Sequence, residues 1–486
     1  MNGEAFVALS EALNPFFLEL IYLLVFLLHV VAVGHAVLYR RDARTTIAWV
    51  GVIWLVPVAG PLLYLALGIN RIRRKAQRLR SGFSLREGSH TGEFPRSVIP
   101  EYHAPLAQLV GKITKQPLLE GNHVKILNGG KVCYDEMIDA INNAENSVSL
   151  MTYIFDYDRA GKLFVDALAG ATSRGVEVRV LVDGAGIHTS RPRIHRVLER
   201  RGVRVARFMP TWAPWLLVYL NLRNHRKTMV VDGRIGFTGG MNIREGVILE
   251  LKPPPTYPFQ DVHARFDGAV VNHIQTVFVE DWRFATGEIL NGPKWFPRLK
   301  SEHGSVAARG IIDGPDEDFE HLKLTVLGAL TVAKRAVRIV TPYFIPDTTI
   351  VNALNVAALR GVDVQIVIPE KGNIRSVQWA SDAMLWQVLE RGCRVWRSPP
   401  PFDHSKLMVV DESWILLGSG NWDPRSLRLN FEFNVECYND TLGKTVTKII
   451  DEKISRSRLI TLKEMDNRAF PIRIRDGFAR LLSPYL

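Results

Sequence analysis

One feature limits the fold of this 486-residue chain more than any other: the same series of apolar runs and charged motifs occurs twice. In the first half, VSLMTYIF from Val148 is followed by a helical stretch, RGVEVRVLVDG from Arg174, LERRGVRV from Leu198, and NHRKTMVVDGRIGFTGGMN. In the second, VRIVTPYF from Val337 is followed by a helical stretch, RGVDVQIVIPE from Arg360, LERGCRV from Leu389, and DHSKLMVVDESWILLGSGN. Short β-branched runs alternating with helical segments specify an α/β fold with a mostly parallel sheet. Repeating the whole series specifies two such domains in tandem, packed side by side.

The last element of each series carries the chemistry. It is an H-x-K-x4-D motif followed by two small residues and an asparagine: His225, Lys227, Asp232, Gly239, Gly240 and Asn242, then His404, Lys406, Asp411, Gly418, Ser419 and Asn421. On a strand, residues two apart share a face, so His and Lys of each copy point into one pocket. Gly240 and Ser419, on a returning strand, leave room for a phosphate to approach the backbone. Joining the halves gathers two histidines, two lysines and two asparagines into one shared active site. Lys227, Lys406, Asn242 and Asn421 can hold the non-bridging oxygens of a phosphodiester. One histidine can attack phosphorus while the other protonates the leaving oxygen and then deprotonates the acceptor. This set is rich in lysine and poor in carboxylates, so neither a metal nor a cofactor is expected. Asp232 and Asp411 complete the two motifs at strand-to-turn junctions, where Asp commonly accepts from backbone amides.

The copies differ in one place. Val205 and His225 are 20 residues apart, whereas Val395 and His404 are 9 apart. The additional segment, 209–222 (MPTWAPWLLVYLNL), holds Trp212, Trp215 and Tyr219. It either fills space between the halves or lies in a lipid interface, where Trp and Tyr are favoured.

The N-terminus reads as a membrane device. Residues 16–39 (FFLELIYLLVFLLHVVAVGHAVLY) carry one formal charge, Glu19, and exceed the roughly 20 apolar residues that a bilayer core requires. A second apolar stretch, 45–67, is interrupted by Pro57, Gly60 and Pro61, which a membrane helix tolerates but which can also make a segment re-entrant. Arg40-Arg41 follow the first stretch where a cleavable leader would have small residues. Two spans put the N-terminus and the body on one side, and the heavily basic exit at Arg71, Arg73, Arg74, Lys75, Arg78 and Arg80 marks that side as cytoplasmic. The expected organisation is a transmembrane helical hairpin over 1–72, a polar linker over 73–115, and α/β domains over 116–300 and 301–486.

A net charge of +12 calls for an acidic partner, whether nucleic acid, anionic lipid or a phosphorylated small molecule. The three cysteines are far apart and odd in number, which argues against a disulfide or zinc framework and for reduced, buried thiols.

The duplicated motif resembles the phospholipase D superfamily. Within it, the chain is similar to bacterial cardiolipin synthases with two N-terminal membrane spans. The similarity runs from about Leu38 to the last residue, through NHRKTMVVDG, FTGGMNI, VFVEDWRFATGE, TPYFIPD, AALRGVDVQIVIP, GSGNWDPRSLRLNFE and ARLLSPYL. It implies two packed α/β halves with the site at their junction in a bacterial inner-membrane protein. It further implies phosphatidyl transfer between two phosphatidylglycerol molecules, giving cardiolipin and glycerol through a phosphohistidine, with the first-half His225 as nucleophile. The superfamily places a carboxylate behind each histidine. Glu432, 28 residues after His404, fits that role. The first half has Pro253 at the equivalent spacing, and Asp261 resembles the family's acidic residue there. A salt bridge or a cap is the other reading of both carboxylates. Arg425 can hold a headgroup phosphate or pair at the surface. The rivals are a phospholipid hydrolase, a nuclease, which two membrane spans disfavour, and an inactive scaffold, which the complete motifs disfavour.

Overall fold

The computed structural model describes residues 15–39, 43–68, 99–189, 191–210, 222–299, 304–315 and 319–482. The chain divides into two compact units, Met1–Lys75 and Ala76–Leu486.

In the first unit a helix spans Pro15–Tyr39. Its segment Phe17–Tyr39 is, among the described residues, the one helix long and apolar enough to cross a membrane. At about 1.5 Å per residue it reaches the roughly 30 Å of a hydrocarbon core. The second stretch does not form the continuous span expected over 45–67. A helix over Ala43–Leu55 stops, Val58 takes φ 63°, and a short helix Ala59–Leu63 runs into a wider turn over Tyr64–Gly68. Pro57 explains the stop, since it lacks an N–H and crowds the preceding turn. The stretch folds back: Ala32, Ala36, Ile53 and Tyr64 pack together, and His35 Nδ1 lies 2.8 Å from Tyr64 Oη.

The second unit is built on one mixed sheet of fifteen strands among the described residues. The first half supplies β1 (Leu119–Asn128), β2 (Ser147–Thr152), β3 (Glu177–Asp183), β4 (Arg204–Phe208), β5 (Thr228–Val231), β6 (Ile235–Gly239), β7 (Phe259–Gln260) and β8 (Val262–Asp267). The second supplies β9 (Val306–Asp313), β10 (Ala336–Val340), β11 (Asp363–Pro369), β12 (Arg394–Ser398), β13 (Phe402–Asp403), β14 (Leu407–Val410), β15 (Trp414–Gly418), β16 (Glu432–Tyr438) and β17 (Arg458–Ile460). The order is β17-β12-β11-β10-β14-β15-β16-β9-β1-β8-β6-β5-β2-β3-β4, with β7 and β13 forming a separate parallel pair. Read outward from the β9–β1 junction, the halves repeat each other through seven strands, and the second half adds β17 at its edge. The duplication is therefore one continuous sheet with a pseudo-twofold at its centre.

The sheet is not mostly parallel. Helical crossovers make β2-β3-β4 and β10-β11-β12 parallel. After each motif the chain turns back at once, and a tight hairpin joins antiparallel strands. Hence β5-β6-β8-β1 and β14-β15-β16-β9 are antiparallel. Helices Val271–Thr286 and Asp440–Ser455 cover one face with a core drawn from both halves, while each half has its own core on the other face. The expected linker also ends early: helix Ala104–Thr114 buries Leu106, Ala107 and Val110 in the second half's core, and Arg309 donates to Ala107 O. All three cysteines are free and buried.

Candidate active site

Each motif histidine directly precedes an inner strand of its half, and each enters the other half. Asn224 forms a parallel bridge with Phe431, and His225 N donates to Phe431 O at 2.9 Å. In the second half Asp403 pairs with Gln260, and His404 N donates to Gln260 O at 2.7 Å. Phe431 and Gln260 each directly precede a carboxylate. The carboxylates are therefore exchanged between the halves. His225 Nδ1 lies 3.0 Å and 3.1 Å from the two oxygens of Glu432, and His404 Nδ1 lies 2.8 Å from Asp261 Oδ2. The sequence points to these two acids but not to this crossing.

Glu432 is fully buried and also accepts from Ser419 Oγ, Ser426 Oγ and Asn430 Nδ2, at 2.5, 2.8 and 3.2 Å. Burial alone would raise its pKa, yet His225, Lys227 and these donors hold it below the usual range. An ionised carboxylate there fixes the proton on Nδ1 and leaves Nε2 with its lone pair. The two imidazole rings meet edge to face, 6.5 Å apart between centroids with planes at 81°. Burial lowers the pKa of His225 and takes that of His404 to about 4, so both rings are neutral at pH 7 in the free site.

Lys227 and Lys406 are buried beside this pair, each donating to the carbonyl of its own motif histidine. Burial lowers Lys227 to about 7 and Lys406 to about 8, against the pull of Glu432 and Asp261. A site that depresses four bases at once favours an anion, whose charge would restore the missing protons.

Comparison with known proteins matches this arrangement to a family. Residues 137–249 and 326–454 match the domain described as "Cardiolipin synthase, PLD-like domain", and residues 23–68 match "Phospholipase_D-nuclease N-terminal". The chain is 33% identical over 488 residues to the major cardiolipin synthase of Bacillus subtilis, covering 98% of this chain and 100% of that one. It is 34% identical to the cardiolipin synthase of Alkalihalophilus pseudofirmus, over 95% of this chain and 93% of that one. The chain belongs to the cardiolipin synthase family. The crystal structure of a phosphatidylserine synthase from Haemophilus influenzae has the same fold, with a TM-score of 0.61 at 15% identity, over 78% of this chain and all of that one.

In this cardiolipin synthase family member the small residues of the motif have a different neighbour from the one expected. A Cβ at Gly240 would lie 2.2 Å from Asp261 Oδ1, and Ser419 gives Glu432 a hydroxyl and His225 Nδ1 a carbonyl at 3.1 Å. Gly240 therefore leaves room for Asp261, and Ser419 supports both Glu432 and His225. Asp232 and Asp411, grouped with the catalytic residues by motif, stand away from the histidines. Both take φ 52°. The carboxylate of Asp232 accepts from the amides of Glu145, Asn146 and Ser147, and that of Asp411 from those of Lys334, Arg335 and Ala336. They clamp the entry to β2 and β10. Asn242 Oδ1 accepts from Ile154 N at 3.0 Å, while Asn421 Oδ1 is buried with no donor among the described residues. Arg425 is half-buried, and its charge acts on Asp423 and Tyr153. The segment 211–221, with Trp212 and Trp215, lies outside the described residues.

Sequence reasoning missed the braces around each histidine. Asn224 bonds Asp281 at 2.8 Å, and Arg226 forms a fully buried pair with the same Asp281 at 2.7 Å while donating to Glu432 O. The second half places Asp403 at the equivalent position, against Lys453 at 2.5 Å. The charges are swapped, so alignment of the repeats hides the equivalence. The signal available was a carboxylate, Asp281, or a lysine, Lys453, on the buried face of an amphipathic helix.

The lysines lead to a prediction. Unfolding returns Lys227 from about 7 to its ordinary 10.5, so the unfolded chain binds more protons between these pH values and stability rises with pH across that window. The penalty of the buried charge is complete below pH about 7. Because charging the buried Lys227 opposes folding, Lys227→Met is expected to raise unfolding free energy by roughly 1–4 kcal/mol at pH 6–7, while abolishing activity. Glu432 keeps all its hydrogen-bond partners, His225, Ser419, Ser426 and Asn430. Denaturant unfolding at pH 6 and pH 10 checks this: the gain should shrink at pH 10, and a less stable variant at pH 6 would refute it.

Proposed function

We propose that this chain transfers a phosphatidyl group between two phosphatidylglycerol molecules, giving cardiolipin and glycerol. The observation that carries this is the pair of histidines set edge to face at one point, each backed by the other half's carboxylate, in a chain that matches curated cardiolipin synthases over nearly its whole length. His225 Nε2 attacks phosphorus, the phosphorus–oxygen bond to glycerol breaks, and His404 gives its Nε2 proton to the departing oxygen. The bound phosphodiester's negative charge raises the His404 pKa enough to load that proton. His404, now neutral, takes a proton from a hydroxyl of the second phosphatidylglycerol. That oxygen attacks phosphorus, the phosphorus–nitrogen bond breaks, and His225 is restored. Lys227 and Lys406 hold the non-bridging oxygens.

We further propose that the broken apolar stretch returns across the bilayer, making the anchor a two-pass hairpin in a bacterial inner membrane with the body on the cytoplasmic side.

The test uses the full chain in vesicles with phosphatidylglycerol labelled in its headgroup and its acyl chains. Cardiolipin and free glycerol in equal amounts, unchanged by excess chelator, are expected. Phosphatidic acid as the main product would make the chain a hydrolase, and activity restored only by one divalent ion would overturn the lysine assignment. In the same vesicles, tags before residue 15 and on the body should be cut by protease from one side together; cleavage from opposite sides would mean a single pass.

A further inference from the structure

We propose that the helix Phe470–Leu481 lies in the plane of an anionic membrane surface and seats the catalytic body on it. The helix is held to the body by one face only. Asp476 is fully buried against Arg468 at 2.6 Å and Arg475 at 2.7 Å, Ala479 packs with Ile345, Val377 and Ala380, and the Arg475 guanidinium lies 4.4 Å from the Trp379 ring centre.

The opposite face is apolar and open. Phe470 is 73% exposed, Ile474 43%, Phe478 66% and Leu481 67%. At about 100° per residue these four fall within one arc of roughly 80°. Arg475 borders that arc on one side, and Arg473 and Arg480 border it on the other. All three arginines are exposed, and the helix's one acidic residue, Asp476, is buried. Elsewhere on the body, large exposed apolar side chains lie scattered; here they are in register on one helix, the pattern of a surface meant to be covered.

The chemistry of the cover follows from the borders. An apolar arc flanked by arginines on both sides suits acyl chains beneath anionic headgroups. A second copy pairing through this face would set arginine against arginine along both edges. The helix is also joined to the site: the core that receives Ala479 is packed by Tyr343, whose ring lies 6.4 Å from that of His404. Docking here brings the rim of the site to the depth of a lipid phosphate. The tether at Phe17–Tyr39 keeps the chain at the membrane but cannot by itself orient the body.

The test uses full-length Phe478→Cys carrying an environment-sensitive fluorophore; the three native cysteines are buried. Leu163→Cys, at a position 54% exposed in the first half, is the control. In phosphatidylglycerol vesicles containing nitroxide-labelled lipid, roughly half or more of the signal at 478 should be quenched, with little loss at 163, as for a helix at the acyl boundary. Adding Arg473→Gln and Arg480→Gln should reduce the quenching. No quenching at 478 would overturn the proposal, and so would disulfide-linked dimers of the unlabelled Phe478→Cys chain under mild oxidation, which would make this face an interface between copies. The readout needs no turnover, so it is independent of the transferase reading.

Discussion

Replacing either His225 or His404 by alanine is expected to lower turnover by about three orders of magnitude or more, and combining the two should cost little beyond the larger single effect. Each histidine holds one of the two roles that the reaction needs. The rings meet edge to face at 6.5 Å between centroids, each with Nδ1 committed to a carboxylate, so the Nε2 of each is left for the reaction. Without His225 there is no nucleophile for a phosphohistidine. Without His404 the glycerol oxygen leaves as an unprotonated alkoxide, and the second alcohol attacks without a base. Because both roles belong to one reaction, the losses do not add. The measurement is cardiolipin formation by purified single and double variants in vesicles. A single variant retaining half the activity would mean two independent sites. Trapping with phosphorus-labelled phosphatidylglycerol, followed by peptide mapping, assigns the roles: label is expected on His225, and label on His404 alone would reverse them.

The exchanged carboxylates give the second large effect. Glu432→Gln is expected to lower turnover about 10²–10⁴-fold, in line with the loss of an orienting carboxylate from a catalytic histidine. Glutamine keeps the shape but can turn its amide toward Nδ1, forcing the proton onto Nε2, where His225 needs its lone pair. It also removes the charge that opposes the effect of burial on the ring, so the His225 pKa should fall further below its already lowered value. Asp261→Asn should do the same to His404. The distinguishing result is which histidine responds. Histidine titrations followed by NMR should show Glu432→Gln moving His225, a residue 207 positions away in the other half, and Asp261→Asn moving His404. A shift confined to the histidine of the same half would refute the crossing, as would a Glu432→Gln enzyme within tenfold of the parent.

Much of this protein was legible in its residue order. The duplication, the two His-Lys pairs and the 23-residue apolar helix rest on local spacing, and local spacing survives translation into structure because strands and helices have fixed periods. The second apolar stretch shows where that reasoning fails: composition gave its length, but Pro57 and the φ of Val58 broke it. The mostly parallel sheet failed for a related reason, since the tight returns after Val231 and Val410 leave no room for a crossover.

What only the tertiary structure decided is the choice of partners. Glu432 stands 28 residues after His404 and 207 after His225, and counting favours the nearer histidine. Pairing of Asn224 with Phe431, and of Asp403 with Gln260, overrules the count by laying each histidine's segment along the other half's carboxylate segment. The same contact sets Gly240 against Asp261 and Ser419 against Glu432. A sequence fixes which groups a chain carries and how they are spaced along one strand; which acid lies behind which histidine depends on how two folded halves meet, and that is set by the strand pairing between them.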